Sequence, residues 1–143
     1  MPWVIDSCIL LDVALKDPEF GLPSALLLEK IRGDGLVVCP ISLVEITPQF
    51  GGDFNQVRLF VRRMGVNAET PWLTVDTASA AAGWTRYVLA KRQGHAVRRP
   101  VADLLIGGFA CRFQGLVTRN PSHFSPFYPQ LQTLVVTADL PVH

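Results

Sequence analysis

The chain has 143 residues, 49% of them hydrophobic and 17% charged, with a formal net charge of +1. That amounts to one domain, residues 1–143, with ample material for a core, and no apolar run approaches the roughly 20 residues a membrane helix needs. Cys8, Cys39 and Cys111 are an odd, widely spaced set beside apolar neighbours, which fits buried free thiols in a reducing cytosol better than a disulfide framework or a zinc site.

The N-terminus lacks a basic stretch followed by a long apolar run, so it does not read as a signal peptide. Trp3-Val4-Ile5 is instead a short buried strand, closed by Asp6, with Ser7 placed to cap a helix that starts at Cys8. A carboxylate after a parallel strand lies on the edge where open α/β sheets bind ligands, although a capping role would also account for Asp6. Pro18 and Gly21-Leu22-Pro23 mark a turn, Ser24 to Arg32 a helix, and Gly33-Asp34-Gly35 its end. Leu36 to Cys39 is a second strand, stopped by Pro40. Ser42-Leu43-Val44-Glu45 then fits a capping box, and a helix starting there also brings Glu45 near the edge that carries Asp6.

Thr47-Pro48 and Gly51-Gly52 break that helix, and Asp53 with Gln56 caps a basic helix through Met64. Trp72 to Val75 is expected as a short strand, followed by an Ala-rich helix capped by Asp76 or Thr77 and ended by Gly94. Pro100 opens an apolar helix carrying one carboxylate, Asp103, whose face includes Ile106, Gly107 and Ala110. Two of those are small, so another backbone is expected to approach there. Gly115 turns the chain into a strand, Leu116-Val117-Thr118, which Arg119-Asn120-Pro121 ends. Ser122 to Phe127 is a short turn or helix, and Leu134-Val135-Val136 a last strand. Strands alternating with helices imply an α/β fold, a parallel sheet with helices on both faces.

Charge is divided along the chain: residues 1–53 carry a net −5 and residues 54–143 a net +6. Between Thr77 and Ala102 stand Arg86, Lys91, Arg92, Arg98 and Arg99 with no acid among them. The division is compatible with a polyanion-binding surface around an acidic site, although charge alone favours solvated helix faces. Asp6, Glu45 and Asp103 are isolated among apolar residues, each on an element that can present it at one sheet edge. Carboxylates buried together repel, so one keeps a proton or all face a cation. Hard oxygen ligands with no accompanying His or Cys indicate Mg²⁺ or Mn²⁺.

VIDSCILLD, ISLVEI, RRPVADLLIGGFA and GLVTRNPSHF, in that order, resemble the motifs of PIN-domain ribonucleases, in particular the VapC-type toxins of bacterial toxin–antitoxin pairs. The resemblance implies a three-layer α/β/α fold around a parallel sheet of about five strands. It implies Mg²⁺- or Mn²⁺-dependent cleavage of structured RNA such as tRNA by a metal-activated water, in the cytoplasm. It implies homodimers and a cognate antitoxin whose tail blocks the site. The family's first three acids correspond to Asp6, Glu45 and Asp103. Where many members carry a fourth acid this chain has Asn120, a carbonyl without charge, which counts against tight metal binding and a two-metal mechanism. Thr118 is placed to bond a carboxylate or a metal water. Arg98, Arg99 and Arg119, and secondarily Arg86 and Arg92, are placed to hold an RNA backbone.

Two other readings compete. One is a PIN-like module that binds RNA or a partner with feeble catalysis. The other is a receiver- or phosphatase-like domain with Asp6 as phosphoacceptor, which is disfavoured because Cys8 stands where the haloacid-type phosphatase pattern wants Asp. The apolar excess also points to a two-fold dimer, with Phe50, Phe54, Phe60, Trp72 and Trp84 as candidates for exposed patches.

Overall fold

A computed structural model describes residues 1–95 and 100–139. Trp3–Ile5 (β1), Leu36–Val37 (β2), Gly115–Thr118 (β3) and Thr133–Val135 (β4) form one parallel sheet in the order β2-β1-β3-β4. The helices are Ser7–Ala14 (α1), Gly21–Ile31 (α2), Pro40–Ile46 (α3), Phe54–Arg63 (α4), Thr74–Arg92 (α5) and Val101–Ala110 (α6). None of them is long and apolar enough to cross a membrane.

β1 and β2 are apolar at every position because both faces of the sheet are covered there. Side chains alternate between two cores. Trp3, Ile5, Leu36, Val38 and Val117 pack with residues of α1, α2 and α4. Val4, Val37, Cys39 and Leu116 pack with Ile106, Phe109 and Ala110 of α6. The result is three layers, with β1 central and fully buried.

A fifth strand at Trp72–Val75 does not form. Thr74 and Val75 open α5 instead, because Asp76, in the first turn, accepts a hydrogen bond from the Leu73 N–H at 2.8 Å. Asp76 therefore closes the helix start from inside rather than capping from outside. Arg112 pins it there, with Nε and Nη2 at 3.0 and 2.9 Å, and lies over the rings of Phe109 and Phe113. On the β2 edge the sheet gains only a single parallel bridge, Val37 to Asn67.

Other helix boundaries also move. The second helix starts at Gly21, three residues before Ser24, with Leu22-Pro23 inside its first turn, where a proline N–H is not needed. Pro40 is the first residue of α3, so Ser42 is buried within the helix and the expected Ser42/Glu45 capping box is absent. Asp53 does cap α4, accepting from the Asn55 and Gln56 amides.

Packing of α5 against α6 depends on small residues. Gly108 lies against Ala80, where an added Cβ would stand 2.8 Å from the Ala80 Cα. Gly83 and Gly107 flank the ring of Tyr128, whose hydroxyl donates to the Leu104 carbonyl. The close backbone approach expected beside Asp103 is thus at Gly108, and Gly107 makes room for an aromatic ring. Gly108→Ala should destabilise the fold by about 1–3 kcal/mol through overpacking against a backbone that cannot yield. Urea unfolding should show a lower midpoint with an unchanged slope.

Candidate active site

Three elements deliver polar groups to the carboxyl end of the sheet. Ile5 pairs with Val117, so Asp6, the residue after β1, meets Thr118, the last residue of β3. The Asp6 amide donates to the Val117 carbonyl at 3.0 Å, and the Thr118 hydroxyl donates to Asp6 Oδ2 at 2.7 Å. Asp6, and not Ser7, is the N-cap of α1, its Oδ1 accepting from the Ser7 amide at 2.8 Å. The Cys8 thiol donates to Oδ2 at 3.3 Å.

Asp6 is 6% exposed. Burial raises its pKa above the usual carboxylate value; the Thr118 hydroxyl and Cys8 thiol act against that rise, and the charge of Asp103 adds to it. Burial, then the Asp6 charge, pushes the Cys8 thiol up to about 12, so at neutral pH it stays protonated and remains a donor.

Freed from capping duty, Ser7 turns its hydroxyl to Glu45 and donates to Oε1 at 2.6 Å. Glu45 sits in the last turn of α3, where the helix dipole disfavours a negative charge, and the Ser7 hydroxyl offsets part of that. Asp103 lies in the first turn of α6, where the dipole favours it, with His123 Nδ1 at 3.5 Å from its Oδ2. Asp103 is close enough to Asp6 for its charge to act there, and Glu45 is tied to the residue that follows Asp6.

The Asn120 amide donates to the Thr118 hydroxyl at 3.0 Å, so Asn120 stands two bonds from Asp6. Arg119 turns away. Its Nε lies 3.4 Å from Asp12 Oδ2 on α1, and its guanidinium covers the Phe20 ring. Arg86 donates to the Phe127 carbonyl at 2.8 Å, whereas Arg92 is exposed. Arg98 and Arg99 lie outside the described residues.

Among the described residues, no three His, Cys, Asp or Glu side chains stand close enough together to hold a metal ion directly. What the site offers is two carboxylates close enough for their charges to interact, a third, Glu45, held by the hydroxyl of Ser7, and Asn120, whose backbone amide reaches Thr118. That set fits a cation that keeps most of its waters, as Mg²⁺ does, and does not fit a fully enclosing cage. Sequence reasoning missed Ser7, Cys8 and His123 as partners of the acids. Ser7 and Cys8 follow Asp6 directly and carried a signal, since both are donors. Nothing in the sequence singled out His123.

In comparisons with protein-family models, with curated proteins and with solved structures, none matches this chain.

A carboxyl whose pKa rises on folding binds its proton more tightly in the folded chain than in the unfolded one. The favourable contribution of Asp6 is therefore complete below its unfolded value of 3.8 and is lost as pH climbs through the raised folded value. Asp103→Asn removes the added repulsion, so less stability should be lost between acid and neutral pH than in the parent chain. Thermal unfolding at a series of pH values reads this, and parallel pH profiles would contradict it.

Proposed function

We propose that this chain is a metal-dependent endoribonuclease of the PIN class, acting as the toxin of a toxin–antitoxin pair. The observation that carries the reading is that Asp6 stands buried at the carboxyl edge of a parallel sheet with Asp103, from the first turn of α6, near enough for its charge to act on it. Open α/β sheets bind ligands on that edge.

Asp6 and Asp103 would hold a hydrated Mg²⁺ or Mn²⁺ ion, with Glu45 and the Asn120 carbonyl accepting from its waters. Such an ion would lower the pKa of a water and neutralise charge at a phosphodiester. Thr118, Cys8 and the Ser7 amide fix the Asp6 carboxylate so that it need not reorient during the reaction. Ser7 holds Glu45 facing the site. The charge of Asp103 acts on Asp6 from a different element, which makes Asp103 the sharpest probe. The proposal includes a homodimer, a cytoplasmic setting and an antitoxin that occludes the site. Asn120 in place of a fourth acid, with no direct three-ligand cluster among the described residues, favours a second reading, an RNA-binding PIN-like module with weak catalysis.

An RNA cleavage assay across a Mn²⁺ titration separates the two. The parent chain should cut in proportion to bound Mn²⁺, and Asp103→Asn should lose cleavage while keeping its circular dichroism spectrum. A variant that cuts at the parent rate would leave Asp103 with a structural role only.

Asn120→Asp should tighten Mn²⁺ binding by roughly 1–2 kcal/mol, about tenfold or somewhat more. Unit charges 4 Å apart attract by about 4 kcal/mol at an effective dielectric of about 20, an upper bound before desolvation. The gain should shrink at acid pH as the carboxylates take up protons. Calorimetric titration at neutral and acid pH measures it, and equal affinities at neutral pH would place Asn120 outside the site.

A further inference from the structure

The outer face of α5 carries a surface that the acidic site does not use. Trp84, Val88, Lys91 and Arg92 fall at i, i+4, i+7 and i+8 and therefore share one stripe of the helix. With Tyr87 they line a cavity of about 570 Å³. Trp84 is 37% exposed, an uncommon state for an indole, and its ring is supported from below by Tyr87 at 5.2 Å between centroids. Lys91 and Arg92 are exposed, and among the described residues neither is in an ion pair. The Tyr87 hydroxyl is buried in the same wall and has no hydrogen-bond partner among the described residues. Such a group is costly unless an acceptor arrives.

Along the helix axis the stripe runs toward the end of α6 that carries Asp103. Ala80 lies against Gly108, while Trp84 lines a groove with Val101, Leu104 and Leu105. Rising numbers on α5 thus meet falling numbers on α6. Lys91 and Arg92 lie toward the start of α6, the end that carries Asp103, about 12 Å along the axis from Trp84.

We propose that Trp84, Lys91 and Arg92 form a track for single-stranded RNA that leads to the acidic edge. A base stacks on the exposed indole, and the two cations hold the phosphates that follow. Stacking accepts any base, because every base has a π face, and it requires the base to be unpaired. Cations with no acid between Thr77 and Ala102 match a polyanion and repel nothing along it. The inference rests on the nuclease reading only in naming RNA as the substrate, and it narrows that substrate to an unpaired segment.

The test is a titration of the full chain with a ten-nucleotide oligouridylate in EDTA, so that binding is read without cleavage. Trp84 emission should be quenched saturably, and Trp84→Phe should lose the quench while keeping affinity within about twofold. Trp84→Ala should bind roughly tenfold more weakly, since stacking is worth a factor of that order. The double variant Lys91→Ala, Arg92→Ala should weaken binding and reduce the slope of log affinity against log salt by about 1.4, two phosphate contacts at about 0.7 each. Its circular dichroism should be unchanged, because both side chains are exposed.

Parent-like affinity and slope in the double variant would overturn the track. So would tighter binding of a duplex of the same length, or an emission change that follows protein concentration and not RNA, which would mean that a second copy covers Trp84. Cleavage by the parent chain with parent-like binding by these variants would remove the track and leave the nuclease. Quenching without any Mn²⁺-dependent cleavage would do the reverse.

Discussion

The carboxylate of Asp6 is withdrawn from water at the end of the central strand, and the fold depends on how that is tolerated. An isolated buried charge would cost far more than a domain of this size has in net stability. Three donors converge on it: the Ser7 amide, the Thr118 hydroxyl and the Cys8 thiol. Each comes at a structural condition. Ser7 and Cys8 are available only if α1 begins directly after Asp6, and Thr118 only if β3 lies beside β1 in the observed register. A slip of one residue would turn Thr118 to the other face and put an apolar side chain against the charge. The strand order and the acidic site are thus one arrangement.

Asp103 reaches the same place by a different route. It rides on α6, whose position is set by α5 through Gly108 on Ala80 and by the Tyr128 ring between Gly83 and Gly107. The far end of that pair is tied by Asp76, 1% exposed, to Arg112 and to the amide of Leu73. Arg112 also bonds the Pro71 carbonyl and lies over two phenylalanine rings, so its charge is paired, hydrogen-bonded and stacked at once. A buried pair this well satisfied avoids the penalty that usually cancels its Coulomb gain. It also fixes where α5 starts, which in turn sets the register against α6 and the depth at which Asp103 sits.

Much of this was legible in the residues. Short apolar runs at Trp3, Leu36, Leu116 and Leu134 marked the four strands, and β1 and β2, buried on both faces, have no polar alternation to obscure them. The Asp53 cap and the end at Gly94, which lies at positive φ, followed from local chemistry. Trp72 to Val75 misled because a four-residue, mostly apolar run does not by itself separate strand from helix. What decides it is the contact of Asp76 with Arg112, 36 residues away, which no local pattern records. The acids were visible as isolated charges among apolar neighbours. Their partners were less so: Ser7 looked like a cap until Asp6 took that place, and the 38-residue separation of Ser7 from Glu45 is a tertiary fact.

Arg119 shows how the same physics limits where an anion can be held. It stands next to Thr118, and by position alone it is the natural cation for a phosphate at the acidic edge. Asp12, though, is buried on α1 and has its own pKa raised by burial, with Arg119 acting against that rise. Taking Arg119 away from Asp12 would leave a carboxylate in the core with its charge uncompensated, and the guanidinium would give up its contact with the Phe20 ring. A substrate phosphate would have to supply more than both. Arg86 is likewise committed, to the Phe127 carbonyl. The positive charge that can turn toward a polyanion without disturbing the fold therefore has to come from side chains whose removal exposes nothing. On the described part of α5 those are Lys91 and Arg92, at the end nearest the acids.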